Sequence, residues 1–196
     1  MTATVTPATG MPLTLPVAGT NPRQLVVGLD LSLTSTGIAG DGWTANIRTK
    51  TRGDARLRIL QTAIADYIKL ADLVVMEGPS YGHAHLAGHE DLAGLRVIVR
   101  LYCYRHHIPY AVMPPSSLKV YATGNGRASK GEIRSAIADR YGHLTEGTAR
   151  YDEADAYAAM AAGHDWLGHP LKSVPTSHRR ALAGCTWPEL LSGGAL

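Results

Sequence analysis

The sequence predicts an α/β protein in which a five-stranded mixed sheet carries helices on its faces. Three observations lead there. Short apolar runs rich in β-branched residues alternate with segments of helical period. The first three runs follow one another across tight turns, and the rest are separated by helices. A chain of 196 residues, 45% hydrophobic and 18% charged, is enough for one domain with a real core.

The elements follow in order. QLVVGLDLSL (24–33) is a continuous apolar run suited to a buried central strand. Thr36-Gly37-Ile38-Ala39-Gly40 and the stretch TANIRTK, entered through Gly42-Trp43, complete an antiparallel meander. Across 54–70, Leu57, Leu60, Ile64 and Ile68 recur at steps of three and four and share one helical face. Leu73-Val74-Val75-Met76 is a second buried strand, ended by Gly78-Pro79. A long helix over 86–106 places Leu92, Leu95, Ile98, Val99 and Tyr102 on its apolar side. PYAVM (109–113) is the fifth strand, closed by Pro114-Pro115. A short helix near 117–122 and the loop Thr123-Gly124-Asn125-Gly126 come next. Ser129 with Glu132 then reads as a capping box opening a helix to about Tyr141. The last helix spans about 151–167. Right-handed crossovers set 25–31 parallel to and beside 72–77, and ligands of open α/β sheets gather at the carboxyl ends of such strands.

Residues 1–22 carry no charge and are rich in Thr, Pro and Gly, so they read as a flexible leader. Residues 23–169 form the predicted domain, and 170–196, rich in Pro, Gly and Ser, read as an irregular tail. No apolar run reaches the ~18–20 residues of a membrane span. The leader lacks the basic start of a secretory signal. Two cysteines, Cys103 and Cys185, with no CxxC make neither a disulfide framework nor a thiolate zinc site. A cytoplasmic protein is expected.

The chemistry lies in the acids. Asp30 interrupts one apolar strand and Glu77 ends another; a buried, unpaired carboxylate costs several kcal/mol, so each must be paired, protonated or bound to a cation. Either one alone fits a carboxylate bonded to a turn or an Arg. Two acids breaking two neighbouring parallel strands point instead to a shared site. In YDEADAYAAM, Asp152 and Asp155 share a helix face while Glu153 points away. An acid in the first turn also suits the helix dipole, which covers Asp152 better than Asp155. The surrounding alanines let this helix lie close to the sheet. Four carboxylates make a hard, all-oxygen site for Mg²⁺ or Mn²⁺ rather than zinc, and two such ions ~3.5–4 Å apart serve phosphodiester cleavage. The 16 basic residues of 23–169 would then face only 11 other acids, a surplus suited to phosphate.

GLDLSLTSTGIA, LVVMEGPS, PPSSLKVYATGNGRASK and YDEADAYAAMA resemble, in order and spacing, the RuvC-type Holliday-junction resolvases of the RNase H-like superfamily. The resemblance covers about 25–165. It implies an RNase H-like fold, a homodimer acting on four-way DNA junctions, and catalysis by Asp30, Glu77, Asp152 and Asp155 with two Mg²⁺ ions per site, Mn²⁺ substituting. It further implies Lys119 beside the scissile phosphate and 5′-phosphate products. DNA contacts are expected at Tyr81, Lys119, Arg127 and Lys130. Stacking of Tyr81 on an unpaired base would contribute ~1–3 kcal/mol, although Tyr81 can equally pack against His83 or His85. Lys130, a cation in a first helical turn, opposes the dipole but suits a phosphate there; an ordinary solvated lysine is the plain alternative. Leu31-Ser32 stands where the family usually has Pro-Gly.

Other readings are weaker. His83, His85 and His89 lack the partners of a zinc site, and Gly124–Gly126 lacks the GK[ST] of a phosphate loop. An actin-like ATPase shares the Gly-x-Asp start but needs two lobes, so no nucleotide cofactor is expected. A nuclease of the same fold acting on flaps, forks or RNA–DNA hybrids stays open, as does a non-catalytic binder of branched DNA, against which the four acids argue.

Overall fold

The computed structural model describes residues 24–79 and 88–189. Five strands, β1 (Val26–Asp30), β2 (Thr36–Gly40), β3 (Trp43–Ile47), β4 (Leu73–Glu77) and β5 (Tyr110–Met113), form one sheet in the order β3-β2-β1-β4-β5. β1, β2 and β3 pair antiparallel as the expected meander, while β1–β4 and β4–β5 are parallel. The helices are α1 (Gly53–Ile68), α2 (His89–Arg105), α3 (Pro115–Thr123), α4 (Lys130–Tyr141), α5 (Arg150–Trp166) and α6 (Thr176–Arg179). α4 starts on the expected capping box: the Glu132 backbone N–H donates to Ser129 Oγ at 3.2 Å, and the Ser129 backbone N–H donates to Glu132 Oε2 at 2.7 Å. Among the described residues no helix is long and apolar enough to cross a membrane.

Strand side chains alternate between faces, and the two faces hold separate cores. Val27, Leu29, Ile38, Val74 and Met76 pack with Leu60, Ile64 and Ile68 of α1 and Leu95, Val99 and Cys103 of α2. Val26, Leu73, Val75, Ala111 and Met113 pack against α3, α4 and the alanine-rich α5. α5 comes close enough that a methyl at Gly28 would stand 2.0 Å from the Ala156 carbonyl oxygen, and one at Gly37 2.1 Å from that of Asp152. Glycine in these strands is therefore a requirement of the helix–sheet approach.

The leader and residues 190–196 lie outside the described residues. Residues 170–189 depart from the irregular reading. They carry α6 and a 3₁₀ turn (Arg180–Gly184), and Thr186 forms a bridge to Val112 beside β5. Trp187 stacks on Trp166 with ring centroids 4.7 Å apart, and Arg179 Nε donates to Asp165 Oδ2 at 3.1 Å. Leu171, Val174, Leu182, Cys185 and Trp187 all join the core under α5. Their spacing follows no helical or strand period, so the sequence carries no periodic sign of this packing. Cys103 and Cys185 are both free thiols.

Candidate active site

Face and register assemble the acids. In β1, Val26 and Gly28 point toward α5, so alternation turns Asp30 the same way; in β4, Leu73 and Val75 do likewise for Glu77. The parallel register pairs Leu29 with Met76, which sets Asp30 beside Glu77 at the carboxyl ends of adjacent strands. Above them, α5 lies over Gly37 at Asp152 and over Gly28 at Ala156. Gly37 is the β2 partner of Asp30, so the first turns of α5 cover the acid on β1.

Electrostatics shows the crowding. Asp30 and Asp155 are 8% and 4% exposed. Burial, then the Glu77 carboxylate facing it, then Asp155, hold Asp30 well above the usual carboxylate range. Burial and the charge of Glu77 push Asp155 up to about 7. Asp152 sits nearer the rim and is fixed by neighbours that the sequence did not mark. Ser35 Oγ donates to Asp152 Oδ2 at 2.6 Å, and Asn46 Nδ2 donates to Ser35 Oγ at 3.0 Å and to the Thr36 carbonyl at 3.0 Å. Glu153 turns away, as its helical position requires, and accepts from Thr44 Oγ1 at 3.0 Å.

Two cations face the acids. Lys130, the first residue of α4, brings Nζ to 3.2 Å from Asp152 Oδ1 and 3.5 Å from Asp155 Oδ2. Partial desolvation opposes its charge, yet Asp30, Asp155 and Asp152 together keep it above the ordinary lysine range. The second is Arg96 of α2, absent from the sequence-based candidates. Burial lowers its pKa while the charges of Glu77 and Asp30 raise it, and its Nε is buried with no hydrogen-bond partner. The sign was available: Arg96 lies four residues after Leu92 and three before Val99, on the apolar stripe of α2.

The remaining candidates stand apart. Lys119 is half-buried on α3 and its charge is felt at Glu132; among the described residues no ion pair or hydrogen bond joins it to the four acids. Arg127 is exposed in the loop before α4, where its backbone N–H donates to Asn125 Oδ1 at 3.0 Å. Tyr81, His83 and His85 lie outside the described residues, and His89 is the first residue of α2.

A hard divalent cation suits this donor set. Every donor is a carboxylate oxygen, and Asp155 Oδ1 is buried with no hydrogen-bond partner among like charges. As the side chains stand, among the described residues no group of three or more acidic, His or Cys side chains is gathered tightly enough to hold an ion. The Lys130 ammonium lies between the two aspartates of α5 instead.

The fold has counterparts among known proteins. No family model matches the chain. The chain is 27% identical over 171 residues to the crossover junction endodeoxyribonuclease RuvC of Gloeobacter violaceus, an alignment spanning 85% of this chain and 94% of that protein. To the RuvC of Cutibacterium acnes it is 30% identical over 109 residues, 54% of this chain and 53% of the relative. Among solved structures, Thermus thermophilus RuvC superposes with a TM-score of 0.58 at 19% identity, covering 77% of this chain and 99% of that one. The same protein in complex with a Holliday junction substrate gives 0.59 at 17% identity, covering 78% and 99%. The five-stranded mixed sheet with its flanking helices is the RNase H-like fold of these neighbours.

Proposed function

We propose that this protein, similar to RuvC-type resolvases in sequence and in fold, is a structure-selective DNA endonuclease that resolves four-way junctions by paired, symmetric nicks. The observation that carries the reading is the meeting of Asp30, Glu77 and Asp155 at the carboxyl ends of β1 and β4 under α5, with Asp152 at their rim. A buried group of like charges with an orphaned oxygen is costly to the fold and makes sense as a cation site. Asp30, Glu77, Asp152 and Asp155 would hold Mg²⁺, with Mn²⁺ as a substitute and two ions as the full complement. When bound, the metal supplies an activated water and neutralises charge on the phosphodiester.

The chain's own groups do the rest. Asp30 and Asp155 stand where the scissile phosphate must come. Ser35, anchored by Asn46, keeps Asp152 in place. Lys119, Arg127 and Lys130, on α3, the following loop and α4, form the cationic approach that grips backbone phosphates. Water adds to phosphorus and the 3′ oxygen leaves, giving 5′-phosphate and 3′-hydroxyl ends.

Symmetric cutting requires two sites related by a two-fold axis. The outer side of α2 supports a homodimer: Val97, Leu101 and Tyr104, opposite the buried stripe of Leu95, Val99 and Cys103, are exposed and with Arg100 and Tyr110 line a groove of about 320 Å³. A cytoplasmic setting fits a DNA-processing enzyme without disulfides.

The test is nicking of an immobile four-way junction in Mg²⁺, beside linear duplex, a flap, a fork and an RNA–DNA hybrid, with Asp30→Asn as the blank. Paired symmetric nicks confined to the junction and absent from the blank are expected. A preference for flap, fork or hybrid would keep the site and change the substrate. Cleavage by the Asp30→Asn protein would remove the site.

A further inference from the structure

Lys130 is held by acids where its own helix repels it. It is the first residue of α4, where exposed N–H groups disfavour a cation. The capping box of Ser129 and Glu132 serves that helix end, and an ammonium, which only donates, could not cap its N–H groups. Its side chain is 55% exposed along its length, whereas the Asp155 side chain it reaches is 6% exposed. The ammonium lies 3.2 Å from Asp152 Oδ1 and 3.5 Å from Asp155 Oδ2, bridging two carboxylates three residues apart on one helix face. Those are two of the four acids assigned to the cation, and the other oxygen of Asp155 stays without a partner.

We infer that Lys130 is the resident counter-ion of the DNA-free site: its ammonium competes with a divalent cation for Asp155 and Asp152, so metal loading and release of the lysine toward a DNA phosphate are one coupled event. The inference rests on the carboxylates being the cation site. An ammonium at this distance and a divalent ion cannot both sit on Asp155 without strong repulsion. The lysine has somewhere to go, because its stem is exposed and the α4 terminus it starts from attracts phosphate. Asp152 does not follow it, because Ser35 holds the other oxygen. Linkage is reciprocal: what draws Lys130 away from the acids raises metal affinity by the same factor that metal raises affinity for that phosphate. The chain thus binds metal weakly alone and tightly with DNA in place.

The experiment is Mn²⁺ titration of the DNA-free protein, followed by calorimetry and by the electron paramagnetic resonance signal of free Mn²⁺, at about pH 8.5, above the value of about 7 to which Asp155 is raised. Lys130→Met, which keeps the stem and removes the charge, is expected to bind Mn²⁺ on the order of tenfold or more tightly than wild type. Lys130→Arg, which keeps the charge, stays near wild type, and Asp155→Asn abolishes binding in either background. Lys130→Met binding no tighter than wild type, with Asp155→Asn still abolishing binding, overturns the counter-ion role and leaves the cation site standing. Mn²⁺ binding indifferent to Asp155→Asn overturns the cation site itself, and the lysine's role with it. The exposed lysine stem makes Lys130→Met compatible with folding, and a circular dichroism melt checks it.

Discussion

The two faces of the sheet are built by opposite rules. Against α1 and α2 the strands offer Val27, Leu29, Ile38, Val74 and Met76, and the helices answer with leucine, isoleucine and valine. Against α5, beside Val26, Leu73 and Val75, they offer Gly28 and Gly37, and at those two glycines the alanine-rich helix rests almost on the strand backbone. The first face gains stability from large apolar side chains. The second gives up that bulk, and so brings carboxylates on a strand and a helix into one buried cluster. A thick aliphatic layer would hold the acids of α5 too far from Asp30 to share a charge. The acid-bearing face is thus the thin one, and the burial of its carboxylates, offset only in part by Lys130 and Arg96, is a cost that the aliphatic face must support.

The sharpest way to separate the faces is to remove charge without changing shape. Asp155→Asn should lower junction cleavage by on the order of 10³-fold or more, while junction binding and folding persist. Single-turnover cleavage beside a binding titration measures both, and loss of fold would make Asp155 structural.

The next contrast is between Gly28 and Leu60. Gly28→Ala drives a methyl into the Ala156 carbonyl oxygen and should cost about 3 kcal/mol or more. Because it lifts α5, it should also lower cleavage out of proportion to the folded fraction. Leu60→Ala, on the aliphatic face, should cost about 2–5 kcal/mol with cleavage per folded molecule unchanged. Urea denaturation paired with active-site-normalised rates distinguishes them.

Smaller still is the pH dependence that the thin face imposes. Asp155 is raised to about 7 by burial and by Glu77, so between about pH 4 and 7 the folded state binds more protons than the unfolded state. Stability of the metal-free protein should therefore fall as pH rises through that window, by on the order of a few kcal/mol. Asp155→Asn should flatten the slope and raise Tm at pH 8 in EDTA. A wild-type Tm that climbs over this range would contradict the buried-charge account.

The outermost contrast concerns α2. Leu101→Glu with Tyr104→Glu should weaken self-association on the order of 100-fold while leaving monomer stability nearly unchanged, because neither side chain is buried in the protomer. Sedimentation velocity across a concentration series reads this. A dimer indifferent to both changes would place the two-fold axis elsewhere.

Much of this was legible before the fold. Asp30 and Glu77 stand out because a carboxylate does not belong in an apolar strand without a partner, and alternation fixes the face to which each points. The capping box located the start of α4 because both halves of that motif lie within four residues. Asp152 and Asp155 declared a shared face by spacing alone. Arg96 was written on the apolar stripe of α2 as plainly as Asp30 on its strand, yet one of three arginines on a seventeen-residue helix draws less notice than an acid in a five-residue strand.

Other features depended on chain segments far apart in sequence. Ser35 and Asn46 are unremarkable polar residues until the meander brings both to Asp152, 117 residues beyond Ser35. The stacking of Trp187 on Trp166 and the bridge from Thr186 to Val112 follow no local period. Periodicity, polarity and local capping thus determined the strands, the helices α1 to α5 and the four acids, because those forces act within a few residues. Only the tertiary structure decided that Lys130 lies between Asp152 and Asp155 and that α5 rests on Gly28 and Gly37, because an ion-pair distance or a backbone contact exists only once separate elements have packed.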